Sequence, residues 1–393
     1  MLIRKALRLA LLPMSASALL GVSSGALAAG SWDAGSFTLT YGGYIKADVL
    51  YSDYSDGNPA GNSIGRDWYV PSTTPVGGDD DDGVLDMHAQ QSRFFFATEG
   101  DVGGKKVTSR FEFDFMVSPG GNERVSNSYN PRMRHAFFTY DRWLFGQTWS
   151  TFQNVSVLPD TVDFVGASES TIFVRQAQVR YTVGNFAIAL ENPETTVTDF
   201  NGGGRIAADD NDLPDLAARY ILKTGFGDFW AAGLLRQLKV QEGTAAGYDD
   251  DDVGYGISLS GKIPIGDRGS DFRFMGNFGE GMGRYMGLNI FNGAESDAGG
   301  NIDALESYGG FAALRLVWNS NWRSSFVGGI AEADNSGDIG TATKKAWHVS
   351  GNLIYSPVPG IDLGLELRYA EREVENGDDG DLTRIQFGAR YNL

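Results

Sequence analysis

Phe37-Thr38-Leu39-Thr40-Tyr41-Gly42-Gly43-Tyr44-Ile45-Lys46-Ala47-Asp48-Val49-Leu50-Tyr51 alternates with a period of two. Its odd positions run Phe37, Leu39, Tyr41, Gly43, Ile45, Ala47, Val49, Tyr51, and its even ones include Thr38, Thr40, Lys46 and Asp48. Successive side chains of a strand point to opposite faces, so the stretch presents one apolar face and one more polar face. The pattern returns. Val107, Ser109, Phe111, Phe113, Phe115 and Val117 alternate with Thr108, Arg110, Glu112 and Asp114. Ile361, Leu363, Leu365, Leu367 and Tyr369 alternate with Asp362, Gly364, Glu366 and Arg368. Ile385, Phe387, Ala389, Tyr391 and Leu393 alternate with Arg384, Gln386, Gly388, Arg390 and Asn392.

About 16 such segments fill the chain, near the ~9–11 residues of a tilted transmembrane strand. They fall over 37–52, 87–99, 105–117, 131–141, 142–152, 173–183, 185–192, 214–224, 227–239, 253–264, 270–279, 306–319, 321–333, 344–356, 360–373 and 382–393. Between them, long connectors (53–86, 118–130, 153–172, 193–213, 240–252, 280–305, 334–343, 374–381) alternate with short ones such as Gly100–Gly104, Val183-Gly184 and Pro357–Gly360. That segregation predicts an all-β fold: a transmembrane antiparallel up-and-down β-barrel with loops outside and turns in the periplasm. A sandwich has no reason to sort its connectors by length. Lipid cannot satisfy a free backbone edge, so the sheet must close, apolar face outward and polar face toward water. Tyr41, Tyr51, Trp143, Trp149, Trp318, Trp322, Trp347, Tyr355, Tyr369 and Tyr391 lie near strand ends and fit two interfacial girdles.

Composition agrees. The 393 residues hold 53 Gly and only 12 Pro, with 50 acidic against 32 basic side chains and no cysteine. The missing cysteine excludes thiolate metal sites, thiol catalysis and disulfides. The formal charge of −18 argues against a nucleic-acid partner, which needs a basic face. No apolar run beyond residue 28 approaches the ~20 residues of a spanning helix.

Arg4, Lys5 and Arg8, the apolar stretch Ala6–Leu20 and the close at Ala26-Leu27-Ala28 read as a secretory signal peptide over 1–28. The barrel domain is then 29–393, and loss of those three basic residues takes the charge from −18 to −21.

About 16 strands leave a water channel rather than a filled interior. Strand parity turns Lys46, Arg93, Arg110, Glu112, Asp114, Arg132, Arg134, Arg180 and Arg219 inward, with Arg273, Arg315, Arg323, Arg368, Arg384 and Arg390 further round. Arg93, Arg110, Arg132, Arg134 and Arg180 fall on neighbouring strands and predict a cationic wall. Connector 153–172 carries Asp160, Asp163 and Glu169. Folded inward, it becomes a constriction loop whose acids oppose the arginines, a charge arrangement that selects permeants. Left on the rim, it leaves the arginines to Glu112 and Asp114.

The acid runs Asp79, Asp80, Asp81, Asp82 and Asp249, Asp250, Asp251, Asp252 offer Ca²⁺ or Mg²⁺ ligands, or a divalent bridge to lipopolysaccharide. They lack EF-hand spacing, and a solvated loop is the default for such runs. No cofactor is otherwise expected. Three histidines, His88, His135 and His348, show no nucleophile elbow. His135 takes outward parity and His348 inward, so a membrane hydrolase is a remote alternative. A general-diffusion or cation-preferring porin is the nearer alternative.

Four strings carry a resemblance: Gly121-Asn122-Glu123-Arg124-Val125-Ser126-Asn127-Ser128-Tyr129-Asn130-Pro131-Arg132-Met133-Arg134-His135-Ala136, Trp143-Leu144-Phe145-Gly146-Gln147-Thr148-Trp149-Ser150-Thr151-Phe152, Phe173-Val174-Arg175-Gln176, and Glu191-Asn192-Pro193-Glu194-Thr195-Thr196. They resemble the DcaP-like outer-membrane porins, most densely over 41–222 and collinearly to the C-terminus. The resemblance implies a homotrimeric barrel in a Gram-negative outer membrane, in contact with lipid and lipopolysaccharide, that admits small anionic solutes, dicarboxylates above all. It adds Arg175 to the pore-lining set and matches Arg93, Arg132, Arg134 and Arg180 to family motifs. Some members carry a coiled coil between signal and barrel. Here the first strand follows Ala28 closely, so that segment is expected to be absent.

Overall fold

The computed structural model describes residues 29–117, 121–122, 126–243, 246–336 and 339–393. The proposed signal segment 1–28 lies outside the described residues. Sixteen antiparallel strands close a barrel: β1 Phe37–Tyr54, β2 Arg93–Val102, β3 Lys105–Asp114, β4 Arg132–Tyr140, β5 Trp143–Trp149, β6 Arg175–Val183, β7 Phe186–Glu191 and β8 Asp215–Lys223. The second half is β9 Asp228–Val240, β10 Asp250–Ile265, β11 Ser270–Glu280, β12 Glu306–Val317, β13 Trp322–Ala333, β14 Thr343–Tyr355, β15 Ile361–Val374 and β16 Asp379–Asn392. Each strand pairs with its sequence neighbour, and β1 closes the ring on β16 from Tyr44↔Asn392 to Tyr54↔Leu382. This meets the sequence expectation strand for strand.

The two faces divide as the alternation requires. On β15, Leu365 is 49% exposed and Leu367 56%, whereas Glu366 between them is 2% exposed. Phe111 on β3 is 47% exposed beside the buried Glu112. Apolar side chains therefore cover the outside of the barrel and charged ones fill the inside, the inversion that a lipid solvent imposes. Paired aromatics mark the girdles, with Trp322 stacked on Tyr355 at 4.6 Å and Trp143 tilted against Tyr181 at 4.8 Å.

Several expectations need correction. Connector lengths do not alternate to the end: β15 and β16 pair as far as Glu373↔Asp379, so the last outer connector shrinks to 375–378. There the strands themselves rise above the rim. A strand precedes β1, because Ala29–Ala34 folds back on Phe37–Gly42 and occupies the edge that β16 leaves free. Two long connectors are not irregular. Arg205–Ala208, Thr195–Thr198, Ala294–Ser296 and Ile302–Ala304 build a four-stranded outer sheet over Val197, Leu238, Val240 and Ile302. Finally, β3 and β4 shift register between Glu112↔His135 and Phe113↔Met133. Arg134 is the extra residue of this bulge, which reverses parity beyond it and turns His135 inward instead of outward.

Candidate functional site

The constriction loop leaves β5 at Trp149 and enters the barrel. Phe152 packs on Tyr285, and Asn154 Nδ2 donates to Ser260 Oγ of β10 at 2.9 Å. The loop then crosses inward positions of β11 to β16. Its Val162 rests on Gly364 and Gly388, where a Cβ would come within 2.6 and 2.8 Å of the valine methyls. Bare glycine at these two inward positions is what lets the loop lie flat on the wall. Val162 N donates to Glu366 at 2.7 Å, and Lys46 Nζ donates to Val162 O at 2.6 Å while pairing with Asp48 at 2.9 Å.

All three loop acids are engaged with this wall rather than with strands β2 to β6. Asp160 Oδ2 lies 2.9 Å from both Arg315 Nε and Arg323 Nε. Burial opposes its charge, but Arg323 and Arg315 outweigh burial and hold the carboxyl below the usual aspartate range. Asp163 accepts from the backbone N–H of Tyr69, Val165 and Gly166 at 2.9, 3.1 and 3.0 Å. Against burial, Arg368 and these donors lower it likewise. Glu169 Oε1 meets His348 Nδ1 at 2.8 Å, both side chains fully buried. Charge opposition between loop acids and the arginine wall is therefore not the observed geometry.

The expected arginine wall gathers around two carboxylates of β3. Glu112 binds Arg110 Nη2 at 2.6 Å and Arg134 Nε at 2.8 Å, while Asp114 binds Arg134 Nη1 at 2.8 Å and Arg132 Nη2 at 3.0 Å. Arg93 approaches both at 3.6 Å. Arg175 has no carboxylate partner among the described residues; it lies over Trp149 at 4.1 Å and Phe173 at 5.6 Å, with Nη1 buried and unpartnered. Five guanidinium groups thus face two carboxylates, an excess of three positive charges. The loop contributes an aromatic instead of an acid: Phe164 lies under Arg93, Arg132 and Arg134 at 5.9, 6.0 and 5.6 Å and is itself packed by Trp68 at 4.7 Å. His135 donates to or accepts from Thr148 Oγ1 at 3.0 Å.

Beside this cluster, Arg180 of β6 donates to Gln178 Oε1 at 2.9 Å and to Trp149 O, and at the middle of β8 Arg219 lies over Trp230 at 4.6 Å. Two further loops complete the interior. Connector 55–92 brings Trp68 and Tyr69, and connector 281–305 brings Tyr285, whose hydroxyl donates to Asp215 at 2.9 Å and whose carbonyl accepts from Phe173 N at 3.1 Å. Sequence reading missed Trp68, Tyr69 and Tyr285, since long connectors carry no periodicity. Arg315, Arg323 and Arg368 it turned inward by parity, without linking them to the loop acids.

Among the described residues no three His, Cys, Asp or Glu side chains are grouped to hold a metal. Asp250 and Asp252 instead accept from Ile302 N and Ala304 N at 2.7 and 2.8 Å, capping the edge of the outer sheet. Asp81 bonds Asn58 at 3.2 Å, and Asp79, Asp80 and Asp82 lie exposed with it; Asp249 takes Glu242 N at 2.5 Å, and Asp251 is paired with Lys239 in the β9–β10 ladder.

Solved porins share this architecture. The DcaP channel of Acinetobacter baumannii superposes with a TM-score of 0.75 at 24% identity, over 91% of this chain and 97% of its own. The anion-selective porin of Comamonas acidovorans gives 0.55 at 10% identity over 91% and 100%, and the trimer form of OmpT from Vibrio cholerae 0.53 at 11% over 91% and 99%. No curated protein matches significantly. The profile of the DcaP outer membrane proteins matches residues 84–393, from the approach to β2 through the arginine wall and the constriction loop to the last strand. The chain therefore belongs to the DcaP outer membrane protein family, as a channel of a Gram-negative outer membrane.

Proposed function

We propose that the barrel is a passive channel for small anions, dicarboxylates foremost, and that its selectivity comes from the arginine wall. One observation carries the reading: five arginines around Glu112 and Asp114 leave three positive charges unbalanced, while the loop acids are bound to the far wall. A fixed positive excess in a narrow, low-dielectric passage raises the local concentration of anions and depletes cations. The resemblance of the arginine-bearing motifs to the family supplies the dicarboxylate class, and the Comamonas relative is named as anion-selective.

On this reading the mature protein follows cleavage after Ala28, assembles as a homotrimer as OmpT does in its trimer form, and lies in lipid beneath lipopolysaccharide. Passage through such a channel calls for no catalytic step and no cofactor. A cation-preferring or general-diffusion channel draws support from the −18 formal charge. Those acids lie largely on outer connectors, where screening over a Debye length of ~8 Å weakens their reach into the passage. Liposome swelling with purified protein separates the readings. Succinate is expected to enter faster than 1,4-diaminobutane of similar size, and Arg132→Ala with Arg134→Ala should remove the advantage. Equal or faster diamine flux through the unaltered protein would overturn it.

A further inference from the structure

Phe164 stands between two inward loops and the arginine cluster. Its ring packs on Trp68 at 4.7 Å with 30° between the planes, and Phe173 meets it edge-on at 6.1 Å. On the cluster side Arg93, Arg132 and Arg134 lie 5.9, 6.0 and 5.6 Å from its centroid. The residue before it explains the placement. Asp163 accepts from Tyr69 N on the connector 55–92 and from Val165 N and Gly166 N on its own loop. One buried carboxylate thus ties residues 68–69 to residues 163–166, and Trp68 and Phe164 are brought together because their neighbours are joined.

Ile64, Trp68, Val70, Met116 and Leu288 share one apolar cluster with Phe164, drawn from four different connectors and free of formal charge. Trp68, Val70 and Met116 are buried, whereas Phe164 is only partly so. Inside a barrel, the open part of that ring borders the water of the passage. The Arg93 and Arg132 side chains keep 21% and 23% exposure beside it. Open guanidinium surface and open phenyl surface are therefore neighbours. A carboxylate seated on Arg93 or Arg132 brings the atoms attached to it against Phe164. An apolar body there removes apolar surface from water on both sides, while a polar body gives up hydration without a partner.

We propose that Phe164, backed by Trp68, is a specificity-determining residue of the constriction, through which the channel favours carboxylates with an apolar, ring-sized body over equally charged polar ones. The inference rests on the anion-channel reading and adds what the body of the solute must be. The arginines select the sign of charge, and the phenyl ring sorts among anions. An aromatic body gains further, because rings meeting edge to face attract each other.

The test is block of chloride current through the purified protein in planar bilayers by benzoate and by nicotinate. Both are planar monocarboxylates of one size, and only nicotinate carries a polar ring nitrogen. Unaltered protein is expected to be half-blocked by benzoate at a concentration about threefold or more below that of nicotinate. Phe164→Ser should make the two concentrations equal by raising the benzoate value, and Phe164→Leu, which keeps an apolar side chain, should retain part of the difference. Phe226→Ser, the same exchange in an exposed periplasmic turn, should leave the ratio as it is. Equal block by the two acids in unaltered protein, or a difference that survives Phe164→Ser, would overturn the role of Phe164 and leave the anion channel standing. Unaltered protein that passes potassium faster than chloride would overturn both.

Discussion

At the scale of single residues, the barrel interior is a set of charge partnerships, and their imbalance decides the electrostatics. Arg134 is 2% exposed and joins Glu112 to Asp114. Arg134→Ala should lower unfolding stability by about 3 kcal/mol, the cost of breaking a buried ion pair. The same change should reduce anion preference in a reversal-potential measurement, because it removes one of five cluster charges. Asp160 sets a pH dependence. Its carboxyl titrates below the usual aspartate value, so its hold on the loop is complete above that value and is lost as pH falls through the lowered one. Loop-derived current noise should therefore rise below about pH 4. Asp160→Asn should show that noise already at neutral pH and abolish its pH dependence. The residues themselves were largely legible, because period-two alternation reports which face a side chain takes. His135 was misread for a local reason: one inserted residue, Arg134, flips every position after it, and a bulge leaves no mark in composition.

Among elements, the constriction loop is held by its landing surface as much as by its own sequence. Gly364 and Gly388 leave room for Val162, and Arg315, Arg323, Arg368 and His348 take its acids. Gly364→Val should push Val162 off the wall toward the arginine cluster and lower single-channel conductance without changing the barrel. The outer sheet depends on two capping carboxylates, so Asp250→Asn with Asp252→Asn should speed proteolysis within 294–304 while conductance is retained. Strand positions could be read from sequence since each strand is a local pattern with a fixed period. Loop paths could not. The contact of Asp160 with Arg323 joins residues far apart in the chain, and nothing local distinguishes it from a contact with Arg110. The outer sheet was hidden for a similar reason, as its strands are three or four residues long and alternate too briefly to register.

For the whole molecule, an acidic and modestly hydrophilic chain lives in a membrane because the barrel turns its apolar set outward and keeps its charges inside. Counting alternating segments was enough to reach sixteen strands, since closure in lipid leaves few other solutions for that pattern. The formal charge of −18 describes the protein poorly as a conductor. Acids are spread over outer connectors, whereas five guanidinium groups gather around Glu112 and Asp114 on one interior wall; on the proposed reading net charge and channel charge therefore differ in sign. The zero-current potential of purified protein in a planar bilayer, across a tenfold KCl gradient, measures that sign directly. The arginine excess calls for a potential of the polarity set by chloride passing faster than potassium. A potential of the opposite polarity, unchanged by Arg132→Ala with Arg134→Ala, would mean that the acids of the outer connectors govern permeation instead.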